Sequence, residues 1–263
     1  MKTVVVACAC ALCLVFVVQA SAEIDLETLV GAWLFDEGAG DVARDASTNG
    51  NDGTLLKSPG WVDGMFGKAL EFDGTSGVEI AHPEDFGFLT WTYVLWFRAE
   101  AGGDYPNLIG RQFENAHGWT IHLDPAGATF RIRIDTDGGI NQVKTVGQTV
   151  RDGEWHHGAI THNDDEKTLE LYIDGVPGPS SYAGDYENTG GFLKIASPAV
   201  GAVNLAAGAI DEVGIFNTIL EEADILLIMA EGLEATGLLP VSPAGRLTAT
   251  WGRMKSEGAA RRE

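Results

Sequence analysis

The chain is dominated by short apolar runs that are separated by Gly, Asn and Asp between residues 30 and 216. Such spacing is typical of all-β sandwiches, in which short strands alternate with turns. Its 34 glycines suit these turns, because glycine tolerates backbone angles that other residues avoid. We predict strands at residues 30–36, 69–73, 77–81, 91–99, 119–123, 129–135, 155–161, 169–174, 192–196 and 209–216.

The pattern inside the strands predicts which of them are buried. In residues 129–135 apolar residues alternate with arginines, so one face of that strand is expected to meet water. Residues 91–97 are apolar on both faces, which predicts a central strand buried on both sides. Loops at residues 125–127 and 163–167 each lie between two apolar runs, as hairpin loops do. Consecutive strands are therefore predicted to pair antiparallel.

One helix is predicted, at residues 221–231. Ile225, Leu226 and Met229 share a face, and Gly232 stands where a C-cap glycine belongs. We expect this helix to pack over one end of the sandwich.

The two ends of the chain differ from the middle. Residues 1–22 have a basic start, an apolar run and small residues at Ala20 and Ala22, as in a signal peptide cut after Ala22. The alternative, a membrane anchor, needs roughly 20 apolar residues, and the run from Val4 to Val18 is shorter. All three cysteines lie in this segment, so the mature chain is expected to have no disulfide. We predict a domain at residues 23–239 and a flexible basic tail at residues 240–263.

The charge balance excludes whole classes of partner. The 38 Asp and Glu against 17 Lys and Arg give a net charge of −21. Nucleic acids and anionic lipid headgroups are repelled by such a surface, whereas neutral ligands and cations are not. No apolar run after the signal peptide is long enough to span a membrane, so the protein is predicted to be secreted or extracytoplasmic, in the periplasm or at the cell surface.

Six segments carry a family resemblance, and they follow one another from the first predicted strand to the last. They are GAWLFDEG at 31–38, DASTNGNDG at 45–53, GKALEFDG at 67–74, WHH at 155–157, LYIDG at 171–175 and IDEV at 210–213. The chain resembles the laminin G-like jelly rolls of the concanavalin A-like lectin/glucanase superfamily. This resemblance implies a two-sheet antiparallel jelly-roll sandwich with one short C-terminal helix, a frequent structural Ca²⁺ site, and extracellular recognition of glycans or proteins without catalysis.

The segment at 45–53 is the best candidate for a metal site. Asp45, Ser47, Asn49 and Asn51 place oxygen atoms at alternate positions, with glycine at the sixth, as in the first half of a calcium loop. The closing acid of an EF-hand is absent. The resemblance implies that an acid on the last strand, here Asp211, completes the ligands. The alternative is an Asx-rich turn without metal.

Other candidate sites are weaker. Residues 23–27 contain alternating acids that superficially match family 16 glucanases, which pair two carboxyl groups for hydrolysis. They stand at the predicted mature N-terminus, where chain ends are usually loose, so we predict no catalysis there. His156 and His157 face opposite sides of a strand and cannot readily share one ion. Residues 164–166 are expected at a solvated hairpin tip.

Ligand binding is predicted from loop aromatics and neighbouring polar residues. Sugars need aromatic faces beside groups that hydrogen-bond their hydroxyls. The candidates are Tyr105, Tyr182 and Tyr186, with Arg111, Gln112 and Asn115 in the loop before Trp119. Ordinary loop packing is the alternative. The sequence thus predicts a secreted, non-enzymatic module that binds an extracellular carbohydrate or protein and contains one structural calcium ion. A structural or adhesive surface protein is the second hypothesis and a glycoside hydrolase the third.

Overall fold

A computed structural model describes residues 24–80, 86–101, 106–111, 118–124, 129–137, 139–145, 148–178, 182, 184–187, 191–196 and 208–239. The predicted signal peptide and basic tail lie outside the described residues. The described strands are β1 (Leu29–Trp33), β2 (Val42–Ala43), β3 (Gly53–Leu56), β4 (Gly60–Asp63), β5 (Lys68–Phe72), β6 (Gly77–Ile80), β7 (Thr90–Ala99), β8 (Asn107–Arg111), β9 (Trp119–Leu123), β10 (Phe130–Thr136), β11 (Gly139–Lys144), β12 (Trp155–Asn163), β13 (Thr168–Ile173), β14 (Val176–Pro177), β15 (Leu193–Ile195) and β16 (Gly208–Phe216). A 3₁₀ turn (Leu26–Thr28) precedes β1, and helix α1 (Glu222–Ala235) follows β16.

The strands form two eight-stranded antiparallel sheets. Sheet A has the order β14-β13-β12-β7-β16-β5-β4, with β1 also paired to β16. Sheet B has the order β11-β10-β9-β8-β15-β6-β3-β2. The hairpin predicted at residues 163–167 is confirmed, since β12 pairs antiparallel with β13. Strands β9 and β10 also pair antiparallel, as predicted, but residues 125–127 between them lie outside the described residues.

The main core lies between the sheets. Strand β7 is central in sheet A, as predicted, and alternates Trp91, Tyr93, Leu95 and Phe97 toward this core. From sheet B, Phe130 stacks on Phe97 with ring centroids 5.7 Å apart. Burying each such side chain contributes roughly 1.5–3 kcal/mol, so the interior stabilises both sheets together.

Each predicted strand is present, but several short strands were not expected from the sequence. Arg111 was predicted to lie in a loop, but Asn107–Arg111 form β8. Nothing in the sequence indicated this strand, because a mixed run with glycine lacks the alternation that marks a strand. Strands β3 (residues 53–56) and β4 (residues 60–63) were not predicted either, for the same reason.

The prediction that the helix covers one end of the sandwich is wrong. Ile225, Ile228 and Leu233 of α1 pack in a second apolar cluster with Val94 and Ala159, on the outer face of sheet A. Gly232, at φ +74°, breaks the helix as a C-cap glycine would, and one further turn follows it. Within the described residues, no helix combines the length and the apolar composition that crossing a bilayer requires.

Candidate functional site

The Asp45 side chain closes the loop between β2 and β3. Its Oδ1 accepts hydrogen bonds from the N–H groups of Ala32 and Ser47, both at 2.9 Å. Its Oδ2 accepts from the Ser47 hydroxyl and the Asn51 N–H, both at 2.8 Å. A carboxylate offers about four lone-pair positions, so protein donors already use all of them. This geometry matches the hydrogen-bonded turn, the alternative to a calcium loop.

The other predicted calcium ligand, Asp211, contacts a different part of the chain. Its Oδ2 accepts the N–H of Phe66, in the turn between β4 and β5, at 3.0 Å. It has no hydrogen-bond partner in common with Asp45. Across the described residues, no group of three or more His, Cys, Asp or Glu side chains is placed to hold a metal. A calcium ion shared by Asp45 and Asp211 therefore stays a prediction.

Two buried acids stand next to each other where β16 bulges. Burial raises the pKa of Asp211 to about 7, although backbone hydrogen bonds from Phe66 and Met65 act against it. Burial likewise raises the pKa of Glu212 to about 8, although a 2.5 Å hydrogen bond from the Leu233 N–H acts to lower it. Glu212 has φ +51°. Sequence reasoning missed Glu212, although two adjacent acids within an apolar strand were a visible signal.

The structure places Tyr182 and Tyr186 in the core instead of at a loop surface. They are 9% and 6% exposed, and both rings contact His162. The Tyr182 hydroxyl donates to Asp164 Oδ1 at 2.6 Å. A sugar cannot reach faces that are covered in this way, so their position matches the packing alternative.

Of the other four predicted ligand residues, the structure describes only Arg111. Arg111 ends β8, is 3% exposed, and donates to the carbonyl oxygens of Phe86 at 2.6 Å and Gly191 at 3.2 Å. The guanidinium thus links β8 to the segments that contain Phe86 and Gly191. Arg111 itself lies in a strand and not, as predicted, in a loop. Tyr105, Gln112 and Asn115 lie outside the described residues.

The hairpin after β12 is solvated only in part. Asp165 and Glu166 are exposed, as predicted. The prediction is wrong for Asp164, whose Oδ1 accepts from Lys167 Nζ at 2.8 Å as well as from Tyr182. The Asp164 carboxylate thus links the hairpin to the buried Tyr182 through hydrogen bonds.

The two adjacent histidines face opposite sides, as predicted. His157 is fully buried beside Trp96, and burial lowers its pKa to about 4. His156 lies 2.8 Å from Asp174 and 3.1 Å from Asp152. Partial burial acts to lower the pKa of His156, but these hydrogen bonds and the two negative charges raise it overall. His156 thus bridges two carboxylates, whereas His157 packs against Trp96 and neither of its ring nitrogens has a hydrogen-bond partner among the described residues.

The acids that superficially match glucanases do not lie on a strand. Asp25 caps the 3₁₀ turn, where its Oδ1 accepts the N–H of Glu27 at 3.0 Å. Glu23 lies outside the described residues. In this turn Asp25 lacks the strand geometry that would place alternate carboxyl groups on one face.

The outer face of sheet B carries polar side chains from β11 to β3, which we name the polar row. Cross-strand partners share a face, so the pairing of the strands defines its members. In register order these are Gln142, Arg133, Thr120, Lys194, Glu79 and Thr54, with Gly110 between Thr120 and Lys194. Ile132 and Ile134, which flank Arg133 on β10, point to the core, so the row points outward. Helix α1 packs on the corresponding outer face of sheet A.

The polar row is most buried in its middle and combines both signs of charge. Thr120 is 3% exposed, whereas the side chains of Arg133 and Lys194 are 32% and 25% exposed. Arg133 lies 3.3 Å from Asp135, and Lys194 lies 3.2 Å from Glu79. Paired charges on a rigid sheet offer donors and acceptors in fixed positions, which suits recognition of a polar ligand.

A second line of polar residues runs beside this row. His122 pairs with Arg131, which lies 3.1 Å from Asp124. Burial, with the positive charge of Arg131, lowers the pKa of His122 to about 4. His122 is therefore neutral over the physiological pH range.

Comparison with known proteins agrees with this architecture. A family model, Laminin_G_3, described as the concanavalin A-like lectin/glucanases superfamily, matches residues 72–226. No curated protein matches the chain.

Many solved structures share the fold, among them the following three. The binding domain of Paraclostridial Mosquitocidal Protein 1 is 18% identical with a TM-score of 0.64, over 77% of this chain and 52% of that one. Domain 4 of AbnA, a GH43 extracellular arabinanase from Geobacillus stearothermophilus in complex with arabinotriose, is 18% identical with a TM-score of 0.62, over 76% and 98%. A Trypanosoma rangeli sialidase is 17% identical with a TM-score of 0.58, over 77% and 32%. The chain spans about half the length of the first structure, and identities this low establish the fold alone.

Proposed function

The chain belongs to the Laminin_G_3 family of the concanavalin A-like lectin/glucanase superfamily, and we propose that it is a secreted, non-enzymatic module that binds an extracellular carbohydrate. The observation that carries this proposal is the polar row. One sheet face is covered by α1, whereas the other presents ordered polar side chains outward. A glycan, rich in hydroxyls that both donate and accept, is the ligand that such a face fits best.

Two further facts support a polar, uncharged partner. The net charge of −21 repels nucleic acids and anionic membranes. Of the three structures compared above, one is a binding domain and one was solved with arabinotriose. Domains of this type are typical of extracellular binding modules, which agrees with the signal peptide predicted from the sequence.

A glycan array tests the proposal, with Arg133→Gln as the variant in the polar row. We expect wild type to bind a defined set of glycans and Arg133→Gln to lose roughly tenfold in affinity or more. Arg98→Gln is the matched control, because Arg98 also pairs with an acid, Glu71, but on the outer face of sheet A.

Three results would overturn the proposal. The first is capture of proteins but of no glycan, which would favour the adhesive hypothesis. The second is equal loss of binding in Arg133→Gln and Arg98→Gln. The third is release of reducing sugar from a bound glycan, which would identify a hydrolase.

A further inference from the structure

A pocket of about 470 Å³ opens beside the start of β1, and none of its lining residues belongs to the polar row. Its wall is built from the 3₁₀ turn, the loop after β2, Phe88 before β7, and Asn217 after β16. The Asn217 N–H donates to the Thr28 carbonyl at 2.9 Å, which fixes the end of β16 against the turn. The pocket falls within the roughly 300–1,000 Å³ of small-molecule sites.

Two asparagines use their side-chain Nδ2 groups to hydrogen-bond β1, and their side-chain oxygens take no part in these bonds. The Asn49 Nδ2 donates to the carbonyls of Leu29 at 2.8 Å and Val30 at 3.1 Å, and the Asn51 Nδ2 donates to Val30 at 3.0 Å. No described donor reaches the Oδ1 of either residue. Asn51 lines the pocket although it is only 1% exposed, so its side chain belongs to the most buried part of this wall.

The other polar side chains of the pocket, Glu27 and Asn217, also have groups that no described residue hydrogen-bonds. Within the described residues, neither the Glu27 carboxylate nor the Asn217 side-chain amide takes part in a hydrogen bond or ion pair. Acceptors therefore predominate, and the lining contains no Lys, Arg or His. A ligand that satisfies this wall must bring several donors and no negative charge.

Phe88 gives the pocket an apolar side. It is partly buried and packs against the main core, so its ring is held in place. A fixed aromatic surface beside hydrogen-bonding groups suits a sugar ring, whose C–H groups contact the aromatic side chain while its hydroxyls donate. A calcium ion fits less well, since it needs roughly six to eight oxygens and gains nothing from Phe88.

We propose that this pocket binds one residue of a neutral sugar, with the Asn49 and Asn51 oxygens and the Glu27 carboxylate accepting from its hydroxyls. The proposal does not depend on the polar row, because the two sites share no residue.

Nuclear magnetic resonance titration tests the pocket. Glucose, galactose, mannose and arabinose are added singly at millimolar concentration, with glucuronic acid alone and calcium chloride alone as comparisons. We expect at least one neutral sugar to shift the side-chain amide signals of Asn51 and Asn217. Asn217→Ala and Glu27→Gln should each weaken its binding roughly three- to tenfold. The control Glu166→Gln makes the same change at an exposed hairpin and should bind as wild type does.

The proposal is overturned if no neutral sugar shifts these signals, or if only glucuronic acid or calcium does. Unchanged affinity in both Asn217→Ala and Glu27→Gln, with folding confirmed by their spectra, would also overturn it. Arg133→Gln should leave this binding intact, so failure of the polar row and failure of the pocket are separate outcomes.

Discussion

At the scale of single residues, Asp45 shows how one side chain can hold a loop. Four donors converge on its carboxylate, so Asp45→Ala should destabilise the protein by about 2–3 kcal/mol. Because these donors are protein groups, we expect the same loss in calcium and in excess chelator, measured by thermal unfolding. Asp41→Ala, at an exposed position nearby, should change stability little. A loss confined to calcium would instead identify Asp45 as a metal ligand.

Glu212 gives a second prediction at this scale. Its pKa is raised from 4.5 to about 8, so the folded state holds a proton that the unfolded state releases. The stability from this proton is complete below about pH 4.5 and is lost as the pH rises to about 8. Glu212→Gln should therefore gain stability relative to wild type between pH 5 and pH 9, by roughly 4 kcal/mol at about 1.4 kcal/mol per pKa unit. Denaturant unfolding measures this, with exposed Glu231→Gln as control, and a constant difference across this range would contradict it.

At the scale of elements, the end of α1 is fixed by Gly232. At φ +74°, an added Cβ would lie 3.1 Å from Phe66 Cγ and 3.3 Å from Glu212 Oε2. Gly237 has φ +79° but no atom within 4 Å of such a Cβ. Both changes to alanine incur about 1–2 kcal/mol of backbone strain, and only Gly232→Ala adds the clash. Gly232→Ala should thus unfold at lower denaturant than Gly237→Ala, and equal midpoints would show that the contact with Phe66 is unimportant.

Elements also show what the sequence could and could not predict. Strands such as β7 and β10 were predictable because their apolar residues have a period of two or fill both faces. Strand β8 was not, since its polar ends and glycine are buried by tertiary contacts that no local pattern encodes. The pocket was missed for a related reason. Glu27, Asn49 and Asn217 are distant in sequence. The pairing of β1 with β16 brings Glu27 near Asn217, and hydrogen bonds from Asn49 to β1 bring in the third residue.

At the scale of the whole molecule, buried titratable groups predict the pH dependence of stability. Burial lowers the pKa of His122, His157 and His162 from 6.5 to about 4, so unfolding takes up protons and stability falls as the pH drops below 6.5. The raised pKa values of Asp211 and Glu212 act oppositely and lower stability as the pH rises toward 8. Stability should therefore be greatest near pH 6.5, measured as the free energy of unfolding from pH 4 to pH 9. A maximum above pH 8 would contradict these assignments.

The central claim is that the outer face of sheet B is the ligand-binding surface. Hydrogen–deuterium exchange of the protein with and without its strongest array glycan tests this claim most directly. We predict added protection in β9, β10 and β15, whose residues carry the polar row, and none in β13, β14 or α1. Protection confined to α1 and the outer face of sheet A would contradict the claim.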